Sequence, residues 1–183
     1  MFKDIEKILF DEKTLLNAIK QLGKKISKDY KNKNLFLLSV LKGSIVFMSD
    51  LMRNISTHCI IDFMCASSYE GGFKTKGVVK ITKDIDISVC GYDLLIVEDI
   101  LDSGLTLSYI LSFLKNKKPK SIKICTLFDK PSRRQADVEA DYKCFEIPDE
   151  FIVGYGFDYK EKYRNLPFIG VLKKDVYELD VLH

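Results

Sequence analysis

Two adjacent carboxylates, Glu98 and Asp99, follow four unbroken apolar residues, Leu94 to Val97, and Asp102-Ser103-Gly104-Leu105-Thr106 comes three residues later. An apolar run without alternation reads as a strand buried on both faces, and in a parallel α/β sheet ligands bind where such strands end. The short polar loop has one glycine and leads into the periodic apolar residues Leu107, Ile110, Leu111 and Leu114. That is a setting in which the free N–H groups of a helix N-terminus bind a phosphate. An acidic pair beside a phosphate-sized loop suits a sugar phosphate, with the carboxylates on hydroxyls and the loop on the phosphate. A plainer reading has Asp102 or Ser103 simply capping the next helix.

Four other groups of residues fall at predicted strand ends. Val40-Leu41-Lys42-Gly43-Ser44 lacks the earlier glycine of a nucleotide-binding P-loop and has Lys-Gly in the wrong order, so on local grounds it reads as a helix N-cap at Ser44. Residues 67–77 are rich in glycine and small polar residues, and Gly71 and Gly72 make a hinge physically available. Asp129-Lys130-Pro131-Ser132-Arg133-Arg134 places three cations around a proline; a lysine there suits a purine 6-oxo group and an arginine suits a phosphate. The segment from Phe151 to Pro167, seen alone, reads as core at Phe151 and a turn at Asp158.

The elements that must hold these residues alternate. Leu15, Leu16, Ile19, Leu22 and Ile26 have helical spacing, so residues 11–30 are predicted as an amphipathic helix. Buried strands are expected at 35–40, 59–66, 94–97 and 122–128, with helices over 44–55 and about 105–115. An antiparallel pair is expected at 78–81 and 85–89, and the last strands at 151–156 and 168–171. Strands separated by single helices imply an α/β fold, a doubly wound, mostly parallel sheet flanked by helices, in a single domain over 1–183.

The whole string Val97-Glu98-Asp99-Ile100-Leu101-Asp102-Ser103-Gly104-Leu105-Thr106 closely resembles the phosphoribosyl pyrophosphate signature of the type I phosphoribosyltransferases, in the form seen in the hypoxanthine-guanine enzymes. The resemblance runs in order through five motifs and nearly the whole chain. It implies the type I phosphoribosyltransferase fold, with a small hood formed by terminal segments, and transfer of phosphoribose from phosphoribosyl pyrophosphate to hypoxanthine, and to guanine, in purine salvage. By resemblance, Glu98 and Asp99 hold the ribose hydroxyls directly or through a metal. Residues Asp102, Ser103, Gly104, Leu105 and Thr106 take the 5-phosphate, and Asp102 is the general acid/base at purine N7. Leu41-Lys42-Gly43 is the pyrophosphate loop, often with a cis Leu41–Lys42 peptide, and Arg164 and Arg134 are further pyrophosphate contacts. Lys130 meets the purine 6-oxo group, Phe151 stacks on the base, and Ile152 presents backbone groups to its edge. Asp158 lies beside the base and joins Glu98 and Asp99 in holding Mg²⁺. Ser68 and Tyr69 belong to a loop that closes over the site.

Composition bounds the alternatives. At 183 residues, with 46% hydrophobic and 30% charged residues, the chain has an ordinary globular makeup. The net charge of +3 is too small to argue for nucleic acid, which weighs against a regulatory RNA- or DNA-binding protein on the same fold. A flavodoxin-like phospho-receiver would leave Phe151 to Arg164 unexplained. The first ten residues include Asp4 and Glu6, so no secretory signal is expected, and the apolar region 35–52 is interrupted by Lys42 and Asp50, so no membrane span is expected. Five cysteines without a Cys-x-x-Cys pair point to a reducing cytoplasm. The two histidines, His58 and His183, leave little material for a histidine metal site. A homodimer or homotetramer acting on small-molecule substrates is expected.

Overall fold

The computed structural model describes residues 1–68 and 79–177. Six strands form the main sheet: β2 (Leu35–Leu41), β3 (Cys59–Ser68), β4 (Val79–Lys83), β5 (Asp93–Leu101), β6 (Ser121–Asp129) and β7 (Tyr142–Glu146). Their order is β4-β3-β2-β5-β6-β7, parallel throughout except for β4, which runs antiparallel on the edge of β3. The helices are α1 (Glu12–Asp29), α2 (Ile45–Arg53), α3 (Leu105–Lys115) and the short α4 (Lys174–Tyr177).

The unalternating runs of β2 and β5 are explained by a core on each face of the sheet. Leu35, Leu37, Leu95 and Val97 pack with Leu15, Ile19, Ile26, Phe47 and Leu51 of α1 and α2. Phe36, Leu38, Leu94 and Ile96 pack with Leu107, Ile110 and Leu114 of α3. Helix α1 starts where Asp11 accepts a hydrogen bond from the Thr14 N–H at 2.7 Å, and its apolar stripe of Leu15, Ile19, Leu22 and Ile26 is buried.

A second, three-stranded antiparallel sheet joins the two ends of the chain in the order β1 (Ile5–Phe10), β9 (Ile169–Leu172), β8 (Ile152–Val153). Val153, Tyr163, Leu166, Phe168 and Leu172 form its own small cluster. This is the expected hood.

Several boundaries differ from expectation. Residues 85–89 are not a strand: the Asp62 carboxylate accepts from the Asp86 and Ile87 N–H groups, at 2.7 and 3.2 Å, so those groups are turned toward β3's side chain instead of a ladder. Strand β5 continues to Leu101, placing Glu98 and Asp99 inside its last turn of pleat instead of beyond it. Residues 151–156 form only the two-residue β8, because Gly154 and Gly156 adopt positive φ angles of 97° and 102° that end the pairing. Strands β1 and β7 were not expected. Tyr69 and the glycine-rich stretch after it lie outside the described residues, and Ser68 is the last residue of β3.

Candidate active site

The chain leaves β2 for β3 on one side and returns to β5 on the other, so a crevice opens outside the carboxyl ends of β2 and β5, the switch point at which open α/β sheets bind ligands. Three segments meet there. After β2, the Leu41–Lys42 peptide bond is cis and is followed by Gly43. A side chain at Gly43 would run into Asp99 Oδ2, and a side chain at Gly156 would run into the Gly43 carbonyl. The β2 loop, the end of β5 and the segment after β8 are therefore packed backbone to carboxylate and backbone to backbone, and the two glycines are what permits it.

Ser44 stands at the N-cap position of α2, as expected, but its side chain makes no cap hydrogen bond. Its Oγ donates to the Val40 carbonyl and lies 2.8 Å from Ser39 Oγ, tying the loop back onto its own strand. At α3 the N-cap position belongs to Gly104, at φ 78°, and not to Asp102 or Ser103, although the Leu105 N–H donates to Ser103 Oγ at a long 3.4 Å. The loop is held from outside instead. Gln135 and Ala136 donate their N–H groups to the Ser103 carbonyl at 2.9 and 3.1 Å, and the Arg134 guanidinium donates to the Asp102 carbonyl.

The acidic pair is electrically unsatisfied. Burial, and secondarily the charge of Asp99, pushes the Glu98 carboxyl well above the usual carboxylate range, and Glu98 Oε2 is buried with no hydrogen-bond partner. Asp99 is pushed up to about 6 by burial; the Ile100 N–H at 2.7 Å and the nearby Arg164 act against the rise, while Asp158 adds to it. Two carboxyls whose charged forms are disfavoured by burial and by each other are groups that hydroxyl donors or a cation would stabilise.

Across the crevice stand cations. Arg164 donates to the Gly156 carbonyl at 2.8 Å and is ion-paired with Asp158 at 2.8 Å, while its Nε is buried without a partner. Lys42 is 3.2 Å from Glu161, whose carboxylate also lies 3.4 Å from Arg164. The Glu161 carboxyl is held below its usual range, chiefly by Lys42. Arg134 is not part of this cluster's contacts: it binds the Asp102 carbonyl and Asp129, and so braces the loop that begins at Asp102.

Beside the crevice is a cleft of about 340 Å³, of a size suited to a small ligand. Its lining joins Asp102 to Lys130, Phe151 and Ile152, four residues singled out from sequence, and adds Ile100, Phe157, Arg133, Asp149 and Tyr177. Lys130 is only 5% exposed; its Nζ donates to the Glu150 carbonyl at 2.8 Å and lies 3.5 Å from Asp149. Arg133 links Asp149, at 3.1 Å, to Asp102, at 3.2 Å. The wall is thus a chain of alternating charge: Asp102, Arg133, Asp149, Lys130. Phe151 is 40% exposed, an open apolar face at the rim.

For a metal, the fit is partial. Among the described residues no three metal-ligating side chains converge, so Glu98, Asp99 and Asp158 are not a ready-made three-carboxylate cage. The orphaned Glu98 oxygen and the Asp99 carboxylate do fit Mg²⁺, which usually takes one or two carboxylates and completes its shell with waters and substrate phosphates. Asp158 is engaged by Arg164 and by the Glu161 N–H, at 2.8 Å each.

Asp149 and Tyr177 were missed from sequence. Asp149 stands two residues before Phe151 and could have been sought as a counter-charge to Lys130; Tyr177 lies beyond every motif and carried no signal. All five cysteines are free thiols, and among the described residues no helix is long and apolar enough to cross a membrane.

Comparison with known proteins agrees with this geometry. A family model described as a phosphoribosyl transferase domain matches residues 7–160. A hypoxanthine-guanine phosphoribosyltransferase of Streptococcus pyogenes is 53% identical over 175 residues, covering 96% of this chain and 97% of that one. One from Streptococcus thermophilus is 51% identical over the same length. The crystal structure of a hypoxanthine phosphoribosyltransferase from Staphylococcus aureus superposes with a TM-score of 0.93 at 51% identity, covering 97% of this chain and 96% of that one. The chain belongs to the phosphoribosyltransferase family, in its hypoxanthine-guanine branch.

Proposed function

We propose that this protein transfers the 5-phosphoribosyl group from phosphoribosyl pyrophosphate to N9 of hypoxanthine, and of guanine, releasing pyrophosphate and giving IMP or GMP in purine salvage. The observation that carries the reading is the adjacency of two compartments. A crevice with an acid pair facing Lys42 and Arg164 opens beside a cleft lined by Lys130, Phe151 and Asp102. Asp102 belongs to the cleft through its side chain and to the phosphate loop through its backbone.

The residues divide the work as their chemistry allows. Gly104 has no side chain to cap α3, and only the long 3.4 Å bond to Ser103 Oγ engages the Leu105 N–H, so the loop from Asp102 to Thr106 can offer N–H and hydroxyl donors to the 5-phosphate. Glu98 and Asp99 accept from the ribose hydroxyls. Lys42, Gly43 and Arg164 meet the diphosphate as negative charge builds on it, a preorganised arrangement of the kind that supplies the largest share of transition-state stabilisation. When bound at Glu98 and Asp99, Mg²⁺ supplies further charge neutralisation to the leaving diphosphate. Lys130 donates to the purine 6-oxo group, Phe151 stacks on the base, Ile152 and Asp158 border its edge, and Asp102 manages the N7 proton as N9 bonds to C1 of the ribose. The protein acts as a homo-oligomer, a dimer or tetramer, in the cytoplasm.

The test is a steady-state assay with phosphoribosyl pyrophosphate and hypoxanthine, guanine, xanthine or adenine in turn, with Mg²⁺ and with excess chelator. Hypoxanthine turns over and adenine is poorer by roughly 10³-fold or more, because its 6-amino group faces a buried ammonium that also only donates. Absence of hypoxanthine turnover overturns the function. Comparable kcat/KM for adenine overturns the Lys130 assignment, and full turnover in chelator overturns the metal.

A further inference from the structure

Among the described residues, two aromatic rings meet that of Phe151. Tyr159 meets it edge-on, with centroids 5.7 Å apart and planes at 86°, and Tyr177 lies stacked on it, with centroids 4.9 Å apart and planes at 20°. The backbone explains how Tyr177 arrives there. The Leu172 N–H donates to the Phe151 carbonyl at 3.0 Å, so β9 runs beside the residue that precedes β8, and α4 follows β9 after Lys173. The Lys173 N–H is held by the Asp4 carbonyl at 3.0 Å, and Val176 and Tyr177 pack on the hood's apolar cluster. Both termini of the hood therefore cooperate to set one tyrosine on one phenylalanine.

Rings 4.9 Å apart leave no gap for a third planar ring, which needs about 3.5 Å on each side for van der Waals contact. A base and Tyr177 cannot share that face of Phe151. With Tyr177 in place the cleft still has about 340 Å³, inside the range of about 300–1,000 Å³ for small-molecule sites, and Ile100 and Lys130 remain on its wall. The space for a base is therefore open while the two aromatic rings are in contact. The geometry points to Tyr177 as a positioning residue for the purine: it backs Phe151, fixes the plane of a ring that is still 40% exposed with Tyr177 in place, and leaves the opposite face for the base. This deepens the proposed function and rests on it. The gain is preorganisation, since a ring already immobilised loses no rotamer freedom when the base stacks on it.

The test is a split between the two substrates' KM values in Tyr177→Ala, Tyr177→Leu and Tyr177→Phe, with unfolding temperatures measured alongside. Loss of the backing ring in Ala and in Leu raises the KM for hypoxanthine about three- to tenfold, the span expected for freeing one aromatic side chain, while the KM for phosphoribosyl pyrophosphate stays within about twofold. Tyr177→Phe, which keeps the ring, restores the hypoxanthine KM. Tyr177→Leu fills the space without stacking and keeps the inference testable should the Ala variant fail to fold. An unchanged hypoxanthine KM in the folded Ala or Leu variant overturns the inference. A lowered one overturns it too, by showing that Tyr177 occupies the base's own face. Parallel rises in both KM values, or no rescue by Phe, mean a merely structural role and also overturn it. Wild-type protein that turns over no hypoxanthine would instead refute the proposed function, so the two failures are distinct.

Discussion

Asp99→Asn should make this protein more stable at neutral pH while damaging the site. In the folded chain the Asp99 carboxyl is pushed up to about 6 from an ordinary 3.8, burial being the main cause. A raised carboxyl means the folded state binds a proton more tightly than the unfolded state. Between pH 4 and 6 the unfolded chain has released that proton and the folded one has not, so stability falls as pH rises through this window and is level above it. At about 1.36 kcal/mol for each tenfold difference in proton affinity, the interval amounts to about 3 kcal/mol. The Asn side chain has the same shape, and its Oδ1 can still accept from the Ile100 N–H, but it has no charge to desolvate. The variant should therefore match wild type below about pH 4 and exceed it by about 3 kcal/mol at pH 8. That is about 6–12 °C in Tm for a chain of this size, measured without Mg²⁺ or substrate. Relief of the charge that Asp99 exerts on Glu98 acts in the same direction. The same variant should raise the KM for phosphoribosyl pyrophosphate, because the charge that destabilises the empty site is the one the ligand uses. A stability difference that stays flat from pH 4 to pH 8, or a variant less stable than wild type at pH 8, refutes the reasoning.

Asp102→Asn should lower kcat by about 10²–10⁴, the span of general acid–base catalysis, with a much smaller change in the KM for phosphoribosyl pyrophosphate. Its stability should barely move, since Gly104 and not Asp102 stands at the start of α3 and the loop is braced through the Asp102 carbonyl, which Asn retains; more than about a third of wild-type kcat would show Asp102 to be structural. Gly43→Ala should cost about 1–3 kcal/mol, the usual range for overpacking, because its methyl group meets the Asp99 carboxylate. Adding Asp99→Ala removes that collision, so in urea unfolding the double variant should be no less stable than Asp99→Ala alone; a cost that persists in the double variant would place the crowding elsewhere.

What was legible in the sequence was local chemistry at strand ends, and the reason is physical. A strand buried on both faces leaves no solvent-facing positions, so Leu94 to Val97 announces itself without alternation, and the carboxylates that follow mark where β5 leaves the core, although the strand itself runs on to Leu101. Strand β1 was invisible for the opposite reason. Ile5 to Phe10 is a hood strand with exposed residues at Glu6, Lys7 and Ile8, and its order comes from pairing with β9 more than 150 residues away, which no local pattern encodes. The alternation at residues 85–89 misled because strand periodicity says nothing about where the N–H groups go, and a single carboxylate, Asp62, claimed two of them.

The candidate site divides along the same line. Residue types at the crevice could be read one motif at a time, but the reason Gly43 must be glycine is a side chain from β5, and the reason Gly156 must be glycine is the Gly43 carbonyl. Arg134 makes the point from the other direction. Next to a lysine and another arginine it reads as a phosphate ligand, yet its partners are Asp129 and the carbonyl of Asp102, so its cation is spent holding the loop in shape. Sequence adjacency groups charges by chain position, whereas the fold sorts them by which strand end they face. Lys42, Glu161 and Arg164 become one cluster across more than 100 residues, while the neighbours Arg133 and Arg134 hold the same Asp102 by different groups: Arg133 pairs with its carboxylate and bridges to Asp149 on the cleft wall, and Arg134 bonds its carbonyl and Asp129.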